Sequence, residues 1–201
     1  LPGVGLNLRD HPTVSILYKT SDLYQLNYDV QRTQVALNCS AEGFEIRNDI
    51  EVWANSFATL PGGDPTVAVG VSNSCVLVQA MGSGNLKLTS SDPHVQPELN
   101  YRFLEDNRDL ERLRWAVRMC VGLSTNPTYR DIIVDRITPS DVDLATDKSL
   151  NLWLLNNVRS MAHISGTCKM GPIADDMAVV DQYCNVRGLE GIRVVDASVM
   201  P

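Results

Sequence analysis

The spacing of apolar residues changes once along this chain, and that change most constrains the fold. Residues 50–57 (IEVWANSF) alternate apolar with polar side chains, as in a half-buried strand, and residues 13–19 (TVSILYK) have the composition of a strand. After Asp106, which can cap a helix, apolar residues recur at helical spacing from Leu110 to Val121. Strands followed by helices predict an α+β fold with a mostly antiparallel sheet and helices packed on one face.

Shorter patterns complete the predicted element order. A second helix is predicted at residues 147–159, and residues 2–12 and 137–141 have the composition of loops. Residues 22–41 leave two interpretations open: Leu23, Leu26 and Val30 have helical spacing, whereas 35–39 favour a strand. Further strands are predicted at 66–80 (as one bent strand or two), 85–89, 98–103, 178–181 and 192–195.

Charge and cysteine usage exclude several classes of function. The net charge of -7 disfavours a nucleic-acid partner, because an acidic surface repels phosphates. No apolar run approaches the roughly 20 residues that a membrane-spanning helix needs, so we expect no membrane span. The five cysteines are odd in number and form no C-x-x-C pair, and the three histidines are scattered. We therefore expect neither a disulfide framework nor a metal site, and we expect a reducing, cytoplasmic location.

Three residues of the C-terminal tail can carry chemistry. His163 joins an apolar segment to a glycine-containing loop, where an imidazole can act as a base or make structural hydrogen bonds. Cys168 follows five residues later and can be a nucleophile paired with His163 or a small buried residue. Asp196 follows the apolar run 192–195 and can bind ribose or ribityl hydroxyls or close an Asx turn.

Four segments resemble, in the same order, motifs of the glucose-methanol-choline (GMC) flavoprotein oxidoreductases. The four motifs together are strong evidence for the resemblance, because a chance match would have to reproduce both their residues and their order. The pattern is most similar to the choline-dehydrogenase-like branch of the family. The segments are residues 1–12 (LPGVGLNLRDHP), 84–93 (GNLKLTSSDP), 163–171 (HISGTCKMG) and 179–201, which ends in VRGLEGIRVVDASVMP.

The resemblance implies a chemistry and a set of site residues. The family binds FAD and oxidises an alcohol to a carbonyl: a hydride passes to the flavin while a base takes the hydroxyl proton. His163 stands at the position of the catalytic histidine of the family, which implies a role as the base or as a hydrogen-bond partner of the alcohol oxygen. Asp196 and Ala197 fall where the family contacts the flavin, and Asn7, Asp10 and His11 lie in a segment near the domain boundary, close to the cofactor. The implied partners are a small alcohol substrate and an upstream FAD-binding domain.

The resemblance also implies a domain organisation. Residues 1–12 would be a boundary segment from the FAD-binding domain, 13–160 the substrate-binding domain, and 161–201 the active-site loop and the return towards the FAD domain. The Rossmann glycines of the family lie upstream, its second active-site residue lies beyond Pro201, and the chain has no initiator Met. We therefore expect the C-terminal part of an enzyme that by itself neither holds FAD tightly nor turns over. The alternatives are a non-catalytic scaffold domain that kept the fold and a hydrolase acting through Cys168.

Overall fold

The computed structural model describes residues 1–60, 64 and 67–201. Its regular elements comprise short and long strands and three α-helices. In chain order these are β1 (Leu6–Leu8), β2 (Pro12–Thr20), β3 (Thr33–Cys39), β4 (Ile50–Thr59), β5 (Ala68–Leu77), β6 (Gly84–Lys87), β7 (Glu98–Asn100), α1 (Asn107–Ser124), β8 (Ile133–Thr138), α2 (Asp141–Leu144), α3 (Asp147–Asn157) and β9 (Arg159–Ser160).

The chain forms two compact units, each assembled from separated segments. The first contains Leu1–His11, Ala80–Glu105 and Ser160–Pro201, and the second contains Pro12–Gln79 and Asp106–Arg159. Residues 80–105 thus group with the two ends of the chain. The assignment of 1–12, 13–160 and 161–201 to flavin-side and substrate-side domains remains a prediction.

The second unit is built on an antiparallel sheet in the order β3-β4-β5-β2-β8. Val14, Val52 and Cys75 are register partners and therefore share one face of this sheet. Helix α1 packs on that face, where the Sγ atoms of Cys75 and Cys120 lie 3.4 Å apart. The predicted α+β architecture, an antiparallel sheet with helices packed on it, is confirmed.

The opposite face of the same sheet carries a polar ladder. The buried Asn55 amide donates to the hydroxyls of Ser72 and Ser74, each at 3.1 Å, and its oxygen accepts from Thr33 Oγ1 at 2.7 Å. Ser15 and Ser74 share a further hydrogen bond of 3.0 Å. Alternation of apolar and polar residues along β4 therefore separates an apolar, helix-covered face from a hydrogen-bonded polar face.

Local sequence signals explain the boundaries of the helices. Asp106 caps α1 by accepting a hydrogen bond from Arg108 N at 2.9 Å, as its position predicts. Thr146 and Ser149 form a reciprocal capping box at the start of α3. The apolar stripe predicted for α3 is buried at Leu150, Trp153 and Leu154.

A buried ion cluster holds α1 against the sheet. Arg112 has no exposed surface, and its guanidinium donates to Asp49 Oδ2 at 2.9 Å and to Asp109 Oδ1 at 2.6 Å. It also donates to the backbone oxygens of Gln79 and Arg108. Two carboxylates and two carbonyls thus replace the water that the buried cation gives up.

The first unit has a smaller sheet in the order β1-β6-β7, also antiparallel. A cluster of Val179, Val180 and Val186 forms its apolar core in the tail, with Cys168 and Met170 packed against it. This unit is low in regular structure, so backbone hydrogen bonds between loops carry much of its organisation.

Several sequence predictions were wrong or incomplete. Residues 22–32 form no helix, and β3 confirms the alternative strand interpretation of 35–39. The predicted loop at 137–141 contains the end of β8 and the start of α2, and the loop at 2–12 contains β1. The apolar runs 178–181 and 192–195 form only isolated bridges, because their partners are single residues of neighbouring loops. Residues 66–80 contain one strand, β5, and Thr66 lies outside the described residues.

Among the described residues, no helix has the length and apolarity needed to cross a membrane.

The ion cluster predicts a large effect of a single substitution. Asp49→Ala should lower the free energy of unfolding by about 3 kcal/mol, because it leaves part of a buried guanidinium unpaired. Arg118→Ala is the control: its partner Asp147 is exposed, so the unfolding midpoint should barely change. Urea unfolding of the full-length protein measures both. Equal midpoints for the two variants would show that the buried cluster does not stabilise the fold.

Candidate active site

The N-terminal segment and the tail lie side by side in the first unit. Arg9 and Ser165 exchange two backbone hydrogen bonds of 2.9 Å, and Gly5 N donates to Thr167 O at 2.8 Å. This antiparallel contact brings together the two segments that carry His11 and His163. The two segments are far apart in the chain, so this contact could not be predicted from the sequence motifs.

Asp10 fastens the same two segments with its side chain. Its Oδ1 accepts hydrogen bonds from the backbone N–H of His11 at 2.7 Å and of His163 at 3.0 Å. Its Oδ2 accepts from the hydroxyl of Ser160. The Asp10 side chain is buried, with 7% of the residue exposed.

The rings of His11 and His163 meet edge to face. Their centroids are 5.4 Å apart and the ring planes are 88° apart. His163 is exposed and His11 is half-buried. Imidazole is the side chain that most often serves as a general acid or base in enzymes.

Asn7 and Ala197 meet at Gly166. The side-chain amide of Asn7 donates to Gly166 O at 3.4 Å, and Gly166 N donates to Ala197 O at 3.2 Å. Gly166 has φ of +82°, and a Cβ at this position would lie 2.5 Å from Asn7 O. The close approach and the left-handed backbone both require glycine here.

Asp196 begins the turn that carries Ala197. Its Oδ1 accepts from Ser198 N at 2.8 Å, so the Asx-turn interpretation describes its local bonding. Hydrogen bonds from Ser198, the hydroxyl first and then the backbone N–H, hold the pKa of this carboxyl below its ordinary value. The side chain is exposed and therefore presents a negative charge to solvent at neutral pH.

The turn after Asp196 runs alongside the loop that follows His163. Cys168 N donates to Ser198 O and Met170 N to Val199 O, both at 2.8 Å. Cys168 itself is half-buried against the valine cluster of the tail, which accounts for it as a packing residue.

All five predicted site residues thus lie in the first unit. The structure pairs His11 with His163, and it joins Asn7 to Ala197 through Gly166. Asp196 lies next to Ala197 in the chain. Within the described part of the chain, no group of three or more His, Cys, Asp or Glu side chains could hold a metal ion.

A cavity of about 230 Å³ lies in the second unit, and the residues that line it include Tyr18, Tyr24, Tyr129 and Asn73. None of the five predicted site residues lines it.

A protein-family model matches a large part of the chain. The family model described as GMC oxidoreductase matches residues 81–201, which is more than half of the chain. The chain belongs to the GMC oxidoreductase family, and the resemblance seen in the sequence is confirmed.

Curated relatives match over the whole chain. Oxygen-dependent choline dehydrogenase 1 of Chromohalobacter salexigens is 31% identical, and the oxygen-dependent choline dehydrogenase of Cronobacter sakazakii is 30% identical. In both cases the match covers 100% of this chain and 40% of the relative. The chain therefore spans about two fifths of the length of these relatives.

Solved structures share the fold. Pyridoxine 4-oxidase from Mesorbium loti matches with a TM-score of 0.85 at 22% identity, covering 100% of this chain and 39% of that one. A formate oxidase of Aspergillus oryzae RIB40, in a study of FAD modification, matches with a TM-score of 0.81 at 19% identity, covering 99% of this chain and 43% of that one. At these identities the likeness concerns the fold alone.

The packing at Gly166 predicts a selective loss of stability. Gly166→Ala should lower the free energy of unfolding by about 2 kcal/mol or more, because the new methyl group meets the Asn7 backbone in a left-handed conformation. Gly188→Ala is the matched control, since Gly188 has φ of +71° with nothing within 4 Å of the added carbon. Thermal unfolding of both variants in the full-length protein measures the difference. Equal losses would mean that backbone strain alone acts at Gly166, without the contact to Asn7.

Proposed function

We propose that this chain is the substrate-side part of an FAD-dependent oxidoreductase that oxidises an alcohol to a carbonyl, with His163 as the base. The observation that carries the proposal is the placement of His163. Its imidazole is exposed, its main chain is bonded to the buried Asp10 carboxylate, and its ring meets that of His11. The rest of the site lies in the same unit.

His163 has the chemistry that the reaction requires. An alcohol becomes a carbonyl by losing its hydroxyl proton and a hydride from the carbinol carbon. A ring nitrogen of His163 accepts the hydroxyl proton, since imidazole is the side chain that can be protonated and deprotonated near neutral pH. The ring of His11 packs edge to face against the His163 ring, so a second imidazole lies beside the proposed base.

The residues around Asp196 fit a flavin. The exposed, anionic Asp196 carboxylate is an acceptor for ribityl or ribose hydroxyls, and the small side chain of Ala197 leaves the turn open to a large ligand. Asn7 supports this turn through Gly166. FAD, when bound here, would supply the hydride acceptor.

The relatives support a larger enzyme than the 201 residues of this chain. The relatives of Chromohalobacter salexigens and Cronobacter sakazakii are oxygen-dependent choline dehydrogenases, and this chain covers 40% of the length of each. We infer that an FAD-binding domain upstream in the parent protein completes the flavin site, and that the substrate is a small alcohol. A cytoplasmic location belongs to the same proposal.

The base assignment predicts the kinetics of a single variant. His163→Ala in the full-length protein should slow the anaerobic reduction of bound FAD by about 100-fold or more, since a general base contributes on the order of 10² to 10⁴ in rate. Stopped-flow absorbance with choline, pyridoxine or benzyl alcohol measures the rate, using whichever alcohol reduces the wild type fastest.

His94→Ala is the matched control. His94 is exposed in a turn of the same unit, with its backbone N–H bonded to Asp92, and its loss should leave the rate within about twofold. A His163→Ala protein that reduces its flavin as fast as the wild type would remove the base from the mechanism. It would favour the alternative of a scaffold domain that kept the fold.

A further inference from the structure

We propose that Asp10 is the positioning residue of this site: its carboxylate holds a strained turn that sets the direction of the His163 imidazole. The inference rests on the proposed function, because it assigns to Asp10 an effect exerted through His163. Asp10 need not touch the substrate or the flavin for this effect.

The first observation is the bonding of the carboxylate. A single oxygen, Oδ1, receives the backbone N–H groups of two histidines that are 152 residues apart in the chain, His11 at 2.7 Å and His163 at 3.0 Å. The other oxygen receives the Ser160 hydroxyl. Because Asp10 is buried, water is a poor substitute for these bonds, and losing the acceptor costs about 1–3 kcal/mol per unpaired buried group.

The second observation is the backbone just before His163. Ala162 has φ of +60°, in the left-handed region that residues with a Cβ avoid. Its N–H donates to Ser160 Oγ at 2.8 Å, and that hydroxyl donates in turn to Asp10. The strained residue is therefore held on both sides by groups that Asp10 fixes, Ser160 before it and the N–H of His163 after it.

The two observations give Asp10 its effect on catalysis. Without the carboxylate, Ala162 can relax to a negative φ, since a left-handed alanine costs on the order of 1–2 kcal/mol. A change of φ at Ala162 redirects the next residue, which is His163. Misplacing a catalytic group by about 1 Å costs on the order of 100-fold in rate. The conformation of the turn at Ala162 therefore affects the rate of the reaction.

Two substitutions of Asp10 in the full-length protein separate the role of the acceptor from that of the charge. Asp10→Ala removes the acceptor and should lower the limiting rate of flavin reduction by about 30-fold or more, with the same FAD content per protein. Asp10→Asn keeps an oxygen that can accept both backbone N–H groups, and should stay within about fivefold of the wild type. The probe is the alcohol that reduces the wild type fastest among choline, pyridoxine and benzyl alcohol.

Asp181→Ala controls for a general loss of structure. Asp181 also uses one carboxylate oxygen to accept two backbone N–H groups in the first unit, those of Tyr183 and Asn185, both at 2.9 Å. None of these bonds involves the segment of His163. The limiting rate of Asp181→Ala should remain within about twofold of the wild type, whereas a loss equal to that of Asp10→Ala would overturn the positioning role.

The double variant Asp10→Ala/His163→Ala tests whether Asp10 acts through the histidine. If it does, the double variant should be no slower than His163→Ala alone, because the imidazole that Asp10 orients is already gone. A further loss of about tenfold in the double variant would show a separate structural effect and overturn the inference. An unchanged rate in His163→Ala alone would instead contradict the proposed function, so the two failures are distinguishable.

Ser160→Ala provides a second route if Asp10→Ala does not fold or loses its flavin. It removes the hydroxyl that links Asp10 to Ala162 and leaves the buried carboxylate with both histidine N–H groups. We expect about a threefold to tenfold fall in the limiting rate, which disappears in the His163→Ala background. A wild-type rate in Ser160→Ala, or a fall that persists without His163, would overturn the proposal.

Discussion

The candidate site depends on one constraint, the fastening of the first eleven residues to the tail. The Arg9–Ser165 backbone pair and the Gly5–Thr167 hydrogen bond align the two segments, and the Asp10 carboxylate locks them where the histidines lie. The tail contains few regular elements, so these hydrogen bonds hold it in place where strand pairing would otherwise do so. The consequence is a main chain held by several hydrogen bonds beneath the exposed imidazole of His163.

Much of the fold could be predicted because its second unit follows simple periodicities. β4 alternates along its length and α1 has a capped, helical stripe, so both were visible in the sequence. The apolar runs at 178–181 and 192–195 were misleading, because a short apolar run pairs as a strand only if a partner strand lies beside it. The burial of the Arg112 cluster could not be predicted from the sequence, because a charged residue is ordinarily expected at the surface.

The residues of the candidate site could be proposed from the sequence, whereas their geometry could not. The resemblance to the family drew attention to His163, Asp196 and the N-terminal segment as candidates, because motifs are local and retain their residue types. The role of Asp10 depends on contacts across about 150 residues and on the left-handed backbone of Ala162. Neither property can be read from single-sequence patterns: alanine gives no local signal of positive φ, and a hydrogen bond between distant segments exists only after folding.

The visible absorption spectrum of the full-length protein, recorded anaerobically before and after adding simple alcohols, tests the central claim most directly. The account predicts flavin bands in the purified protein, or after FAD is added, that bleach when an alcohol substrate is present. It also predicts that the alcohol is recovered as its carbonyl in an amount equal to the flavin reduced. A protein that remains colourless with added FAD would contradict the account and leave the fold as a scaffold without redox chemistry.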